Sequence, residues 1–470
     1  MEGSIHEECG VFGIFDKSAG VASSTCYGLY ALQHRGQESC GIAVCDDGIM
    51  RCEKDMGLVS EVFDKERIER LGQAKMAVGH VRYSTTGGNE ASNIQPLCIR
   101  HIKGNMALVH NGNLVNAAQL RSSFELSGAI FHCTTDTEAI AYAIVRERIG
   151  SDSTEQAIAK AMHELKGAYS CIVMTATKLI AFRDPFGLRP LCIGQKENGA
   201  YVIASESCAL DAVSAKLIRE IEPGEIVTVS DDGLSSIKLP KEKRHVCIFE
   251  YIYFARPDSV IEGVSVHHSR IKAGHILAQH SPVDADVVIG VPDSGIDAAL
   301  GFAEQSGISY GMGFIKNKYI GRSFIEPTQA ERADKVKIKL SVIRETVAGK
   351  RVVMIDDSIV RGTTSARIIK LLREAGAKEV HVRITAPPFL HSCYFGTDID
   401  SEENLISSRL HSTEAVAKEI GADSLAFFPN ERLGELAGEG YCDGCFSGKY
   451  PVDVSGAGRK NKFDKKIHES

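Results

Sequence analysis

The sequence predicts a two-domain chain of α/β and α+β character: a layered α+β half, then an α/β half built on a mainly parallel sheet. Three observations carry this expectation. At 470 residues, a prior of roughly 150 residues per domain gives about three domains, or two larger ones. With 43% hydrophobic and 24% charged residues, the chain has the composition of an ordinary globular protein that buries substantial cores without disulfides. The hydrophobic rhythm also changes near residue 240, from glycine-bounded strands interleaved with helical stretches to a repeating strand, loop, helix, strand order that implies βαβ units.

In chain order, residues 9–15, 77–81, 107–110, 169–175, 179–182 and 201–204 read as short strands, and 137–149 and 154–165 as helices. The polar, turn-rich stretch 230–243 is the linker candidate. Beyond it, 287–291 and 351–355 are apolar strands, 365–374 is a helix closed by Ala375-Gly376, and 380–385 is the next strand. Residues 455–470 are rich in Lys and Gly, lack apolar periodicity, and are expected to form a flexible tail.

Composition excludes several classes. A formal net charge of −7 opposes broad attachment to nucleic acid or anionic membrane. The absence of tryptophan, with 7% aromatics, gives no support for a base-stacking surface. No run approaches the roughly 20 apolar residues of a membrane span, and the acidic residues 1–8 are neither a secretory signal nor a transit peptide. A cytoplasmic location is expected, in which most of the 14 cysteines are reduced and act as small buried hydrophobes.

Cys9 opens the first strand. It is followed by Gln33-His34-Arg35-Gly36-Gln37-Glu38, His80-Val81-Arg82-Tyr83-Ser84-Thr85, His110-Asn111-Gly112-Asn113 and Thr135-Asp136-Thr137-Glu138. Singly, these read as a core thiol, a hairpin turn or a helix start. Together they supply the parts for hydrolysing a side-chain amide, provided that cleavage before Cys9 frees its α-amine. That amine, with an ordinary pKa of about 8, can take the thiol proton within the same residue. Asn111 and the Gly112 N–H can hold the oxyanion, Arg82 can grip an α-carboxylate, and Asp136 can take an α-ammonium. These motifs resemble those of the N-terminal-nucleophile glutamine amidotransferases. The resemblance implies an αββα sandwich over 9–240, a nucleophile at Cys9, an oxyanion hole at Asn111 and Gly112, glutamine contacts at Arg35, Gly36, Arg82 and Asp136, and a propeptide, 1–8, that is removed.

In the second half, an apolar strand runs into Asp356-Asp357-Ser358-Ile359-Val360-Arg361-Gly362-Thr363-Thr364-Ser365 and then a helix. Open α/β sheets place ligands at the carboxyl ends of their strands, and a helix N-terminus offers N–H groups to phosphate. The acids suit a ribose diol and the Gly-Thr-Thr-Ser stretch a phosphate; the spacing is not that of a Walker loop. The segment resembles the phosphoribosyl-pyrophosphate (PRPP) motif of type I phosphoribosyltransferases. That resemblance implies ribose contacts at Asp356 and Asp357 and 5′-phosphate binding at Arg361, Gly362, Thr363, Thr364 and Ser365, in a domain spanning 247–454. Ser294, in the turn Val291-Pro292-Asp293-Ser294-Gly295, is assigned to Mg²⁺ with the acidic pair. The basic, glycine-hinged stretch 316–329 is either a solvated loop or a lid whose Lys318 and Arg322 stabilise departing pyrophosphate.

The order of the halves, and the junction 247–259, resemble the glutamine PRPP amidotransferases from Cys9 to about Pro451. This implies glutamine and PRPP as substrates and ammonia released at Cys9 that attacks C1 of PRPP. The products are 5-phosphoribosylamine, glutamate and pyrophosphate, in the first step of de novo purine synthesis. It also implies an internal apolar passage for ammonia, purine nucleotides as feedback inhibitors, and a homotetramer or homodimer. The [4Fe–4S]-containing branch of the family has cysteines matching Cys247, Cys393, Cys442 and Cys445. By itself Cys442-Asp443-Gly444-Cys445 also suits zinc, but His275 and His280 precede it by a long interval, in a helical stretch. Two rivals remain. A PRPP-binding regulator without turnover has no use for Cys9, Arg82, Asn111 and Asp136, and residues 356–365 discriminate against a different amidotransferase.

Overall fold

The computed structural model describes residues 9–18, 20–83, 90–317, 340–399 and 401–457. The expected propeptide, Lys318, Arg322 and most of the expected tail lie outside the described residues.

The amino-terminal half is the expected sandwich. One sheet has seven strands in the spatial order Ala215–Glu220, Cys192–Lys196, Tyr201–Ala204, Gly10–Phe15, Met76–Arg82, Ser39–Asp46, Ile49–Met56. The other has six, in the order Gly233–Lys238, Glu225–Ser230, Leu179–Arg183, Gly167–Met174, Gly104–Leu114, Leu97–His101. Successive side chains of a strand point to opposite faces, which assigns the layers directly. In Gly10–Phe15, Val11 and Phe15 meet Val109, Ile172 and Ala181 of the facing sheet. Phe12 and Ile14 point the other way, into a core shared with Leu29 of the helix Val21–Ala31. The six-stranded sheet carries the helices Ala117–Leu126, Asp136–Ile149 and Thr154–Met162 on its outer face. The layer order is therefore helices, sheet, sheet, helices.

The linker expectation needs correction. Gly233–Lys238, within the polar stretch 230–243, pairs antiparallel with Glu225–Ser230 as an edge strand. Most of its residues are exposed, so its composition reflects an edge with one neighbour and little to bury.

The second half is built on a four-stranded parallel sheet, Val287–Gly290, Arg351–Asp356, Glu379–Ile384 and Ser424–Phe427. Helices Val266–His280, Gly295–Ser306, Thr363–Glu374 and Thr413–Ile420 flank it. A sheet covered on both faces wants continuous apolar strands, as in Val352, Val353, Met354 and Ile355, all fully buried. Gly274 and Gly301 let the first two helices touch backbone to backbone, since a Cβ on either would lie 2.0 Å from a carbonyl oxygen of the other helix. The carboxyl-terminal segment returns to the domain junction, where Tyr441–Cys442 pairs parallel with Val246–Cys247. Among the described residues, no helix is long and apolar enough to cross a membrane.

Candidate active sites

The residues expected to form the first site come from both sheets and one helix. Cys9 immediately precedes the strand Gly10–Phe15, whose Gly10 pairs with Val81, so the thiol lies beside Arg82 on the next strand. Its Sγ donates to the Tyr83 carbonyl at 3.5 Å. From the opposite sheet comes Gly104–Leu114 with Asn111 and Gly112, and the two strands are joined where His80 Nε2 donates to the His110 carbonyl at 3.0 Å. Asp136 begins its helix, buried, with Oδ2 accepting from the Leu114 N–H at 2.9 Å.

Asn111 is 1% exposed, and its Nδ2 has no hydrogen-bond partner among the described residues. A buried donor left unpaired costs about 1–3 kcal/mol, so the site holds a donor at the ready for an acceptor supplied from outside. Gly112 has φ +139°, and a Cβ there would sit 2.2 Å from the Ala168 carbonyl oxygen, so no other residue fits this backbone.

Arg35 and Gly36 take positions that sequence reasoning did not anticipate. The Arg35 guanidinium is fully buried. Its Nε donates to the Cys9 carbonyl at 3.1 Å, Nη1 to Glu206 at 2.6 Å, and both Nη atoms to Glu250 at 2.9 and 2.7 Å. Gly36 lies flat on the strand bearing Arg82, where a Cβ would come within 2.5 Å of the Val81 carbonyl carbon. Arg35 thus anchors the Cys9 backbone, and Gly36 lets its segment lie directly against the Arg82 strand.

Glu250 belongs to the second half, at the start of a short π-helical turn, Glu250–Phe254. It is fully buried, as are Arg35, Arg189 and Glu206, so the seam between the halves is a desolvated charge network. Burial works to raise Glu206, but the charges of His34 and Arg35, with hydrogen bonds from His34 and Ser259, hold it far below the usual carboxylate range. At the other end of the turn, the buried Arg270 donates to the carbonyls of Tyr251, Tyr253 and Ala255 at 2.9, 2.9 and 2.7 Å. Burial lowers its pKa, opposed by the charges of Asp297 and Asp357. One short element thus touches the Arg35 that holds Cys9 and the Arg270 that feels the acidic pair. Glu206, Glu250, Arg189 and Arg270 were not found by sequence reasoning; only the motif context of Glu250 offered a signal.

Asp356 ends the strand Arg351–Asp356, with Asp357 next to it. Burial, and then the charge of Asp357, raises Asp356 well above the usual carboxylate range. Burial also raises Asp357, against hydrogen bonds from Ser294 and Ser358. Ser294 Oγ donates to Asp357 Oδ2 at 2.5 Å, so the turn at 291–295 reaches the acidic pair. Gly295 allows this approach, since a Cβ there would sit 2.5 Å from the Ile355 carbonyl oxygen. Gly362, at φ +82°, turns the chain into the helix that begins at Thr363. Two adjacent buried carboxylates resisting ionisation suit a cation or a pair of donating hydroxyls.

Cys247, Cys393, Cys442 and Cys445 line one apolar cavity with Phe249, Phe395 and Ile399. Burial pushes Cys442 up to about 12, and burial plus the charges of Cys393, Cys247 and Cys442 pushes Cys445 well up. Four thiols on one cavity wall, with Cys442 and Cys445 held protonated by burial, fit a group bringing positive charge. Among the described residues, no three or more His, Cys, Asp or Glu are gathered as a metal site. The segment after Cys393 also packs on the strand that bears Asn111 and Gly112. Asn113 Nδ2 donates to the Tyr394 carbonyl at 2.8 Å, Arg189 donates to the Phe395 carbonyl at 2.7 Å, and a Cβ on Gly396 would lie 3.4 Å from the Gly112 carbonyl carbon.

Two buried histidines give this half a pH response. Burial lowers His80 to about 3 and lowers His110 as well. Between pH 6.5 and about 3 the unfolded chain binds a proton that folded His80 refuses, so its contribution to stability is present above pH 6.5 and falls by about 1.4 kcal/mol per pH unit below it. Asp184 and Glu220, raised by burial to about 6 and about 7, act in the opposite sense. The measurement is therefore the difference in slope between wild type and His80→Gln, by denaturation from pH 7 to 5. The variant is expected to lose less stability on acidification.

The glutamine amidotransferase domain family matches residues 80–212. The chain is 49% identical over 459 residues to the amidophosphoribosyltransferase of Bacillus subtilis (strain 168), covering 96% of this chain and 95% of that protein. It is 48% identical over 455 residues to that of Archaeoglobus fulgidus, covering 95% and 99%. The solved structure of glutamine PRPP amidotransferase from B. subtilis, complexed with ADP and GMP, superposes with a TM-score of 0.89 at 48% identity, covering 95% of this chain and 98% of that one. A second structure, of the allosteric regulatory enzyme of purine biosynthesis, gives the same TM-score at 49% identity, covering 95% and 97%. Likeness at this level over nearly the full length of both halves means that the chain belongs to the amidophosphoribosyltransferase family of glutamine-dependent enzymes of purine biosynthesis.

Proposed function

We propose that the two halves run in series, releasing ammonia from glutamine at Cys9 and adding it to C1 of PRPP beside Asp356 and Asp357. The observation that carries this reading is the buried, unpartnered Asn111 Nδ2 on the strand facing Cys9. With residues 1–8 removed, the Cys9 α-amine takes the thiol proton and Sγ attacks the glutamine side-chain amide carbon. The oxyanion accepts from Asn111 Nδ2 and the Gly112 N–H. Arg82 grips the α-carboxylate and Asp136 the α-ammonium, while Arg35 and Gly36 position the nucleophile. The C–N bond breaks, ammonia departs with the proton from the α-amine, and water cleaves the thioester to glutamate.

In the second half, Asp356 and Asp357 bind the ribose hydroxyls. Arg361, Gly362, Thr363, Thr364 and Ser365 bind the 5′-phosphate through N–H and hydroxyl donors at a helix N-terminus. Ammonia forms a bond to C1 as pyrophosphate leaves, and Lys318 and Arg322 are assigned to that leaving group. Ser294, Asp356 and Asp357 would hold Mg²⁺, which supplies charge neutralisation for pyrophosphate. Cys247, Cys393, Cys442 and Cys445 would hold a [4Fe–4S] cluster, which supplies a covalent staple to the carboxyl-terminal segment. Ammonia passes internally, because the ammonium formed in bulk water has no lone pair to attack with. Purine nucleotides serve as feedback inhibitors, a reading supported by the relative complexed with ADP and GMP. The protein works as a cytoplasmic homotetramer or homodimer.

Two variants test this scheme. Cys9→Ala is expected to abolish product formation from glutamine while retaining it from added ammonia. Asp356→Asn is expected to abolish both and, by removing a buried carboxyl whose ionisation the fold opposes, to raise folding stability by about 0.5–2 kcal/mol. Ammonia-dependent synthesis that survives Asp356→Asn would contradict the assignment of the acidic pair.

A further inference from the structure

Two cysteines remote from the active sites meet at the rim of the amino-terminal sandwich. Cys52 lies on Ile49–Met56, the edge strand of the seven-stranded sheet, and Cys98 on Leu97–His101, the edge strand of the six-stranded sheet. Partners across an antiparallel pair project from the same face. Those partners are Ala43 for Cys52 and Ala107 for Cys98, and both alanines belong to the core between the sheets. The two thiols therefore point into the inter-sheet layer from opposite sides. Both are free thiols, and each is close enough to perturb the ionisation of the other. Cys52 is half-buried and Cys98 is exposed, so solvent reaches the pair.

We propose that Cys52 and Cys98 form a redox-sensitive pair that closes to a disulfide between the two sheets. The hydrogen bond from Cys52, and then the ammonium of Lys54, favour the thiolate at Cys98 against its burial, whereas the same hydrogen bond and burial keep Cys52 protonated. An accessible thiol biased towards its thiolate, beside a resolving thiol that stays protonated, is the arrangement that oxidation by peroxide uses. The Cys98 thiolate attacks a peroxide oxygen, the O–O bond breaks, and the sulfur becomes a sulfenic acid as hydroxide leaves. The Cys52 sulfur then attacks that sulfur, the S–S bond forms, the S–O bond breaks, and the Cys52 proton leaves with the oxygen as water. Overall, two thiols and one hydrogen peroxide give one disulfide and two waters, with two electrons passing from sulfur to oxygen. A dithiol reductant reverses the step by exchange.

The location links the pair to the glutamine site. Lys54 Nζ donates to the carbonyls of Ile94 and Pro96 at 2.6 and 3.2 Å. Between those residues, the Gln95 side chain accepts from the His110 N–H at 2.8 Å and donates to Thr137 Oγ1 at 3.1 Å. The residue before Asn111 and the residue after Asp136 are thus anchored to a segment that runs directly into Cys98.

The test is peptide mapping of full-length protein treated with hydrogen peroxide, with free thiols then blocked and the digest kept unreduced. The expected result is one species joining the Cys52 and Cys98 peptides. It is lighter than their sum by two hydrogen atoms, is split by a dithiol, and is lost in Cys98→Ser. In Cys52→Ala, Cys98 is expected to accumulate as a sulfenic acid that a carbon-acid reagent traps. Recovery of both residues as blocked thiols, or of Cys98 joined to another cysteine, would overturn the proposal.

Discussion

Asn111→Ala is expected to lower glutamine-dependent turnover about 10²–10³-fold, the usual cost of removing one side-chain donor from an oxyanion hole, or about 2.7–4 kcal/mol. Nδ2 is buried without an acceptor, so the folded protein gains nothing from it until charge develops on a bound amide oxygen. Truncation therefore spares the fold while removing a contact made chiefly in the transition state, and kcat should fall more than KM rises. Synthesis from added ammonia bypasses Cys9 and should be unchanged. Asn111→Asp is expected to be more damaging still, since it sets an acceptor against the oxyanion. Unaltered glutamine turnover in Asn111→Ala would remove the residue from the mechanism.

Glu250→Ala is expected to destabilise the protein by about 3–5 kcal/mol, the cost of breaking a buried ion pair by deleting one partner. Its two oxygens accept from both Nη atoms of Arg35, and Arg189 approaches to 3.6 Å. Deletion removes a carboxylate that faces two fully buried guanidiniums, Arg35 and Arg189, so the loss reflects stranded charge more than lost attraction. Because Arg35 also holds the Cys9 carbonyl, glutamine-dependent activity should fall further than ammonia-dependent activity in the protein that remains folded. The double variant Arg35→Met/Glu250→Leu should cost less than the sum of its single changes, since each removes the charge that the other strands. Additive costs, measured by chemical denaturation, would show that the network is not coupled.

Elements that bury an apolar face were legible in the sequence. The strand at 351–355 reads as one apolar run because its sheet is covered on both sides, and Gly10–Phe15 reads as a strand because both its faces meet hydrophobic layers. Gly233–Lys238 was not legible, because an edge strand exposes most of its side chains and looks like a linker. At the proposed glutamine site, the residue types at Cys9, Arg82, Asn111 and Asp136 suggested a chemistry from the sequence, since nucleophile, guanidinium, amide and carboxylate together are the parts that amide hydrolysis needs. Arg35 and Gly36 were recognisable as motif members, but their geometry was hidden, because it depends on a backbone approach and on Glu250 more than 200 residues away. Glu206 and Arg189 look like any surface charge until the two halves enclose them. Cys52 and Cys98 likewise become a pair only when two edge strands from different sheets are stacked.

The catalytic account turns on the free α-amine of Cys9, and intact-mass analysis of active protein, before and after a glutamine-analogue electrophile, tests it most directly. The predicted result is a polypeptide beginning at Cys9 that gains one adduct, mapped to Cys9, as glutamine-dependent activity disappears and ammonia-dependent activity persists. A fully active chain that still carries residues 1–8, or an inactivating adduct on another cysteine, would contradict it.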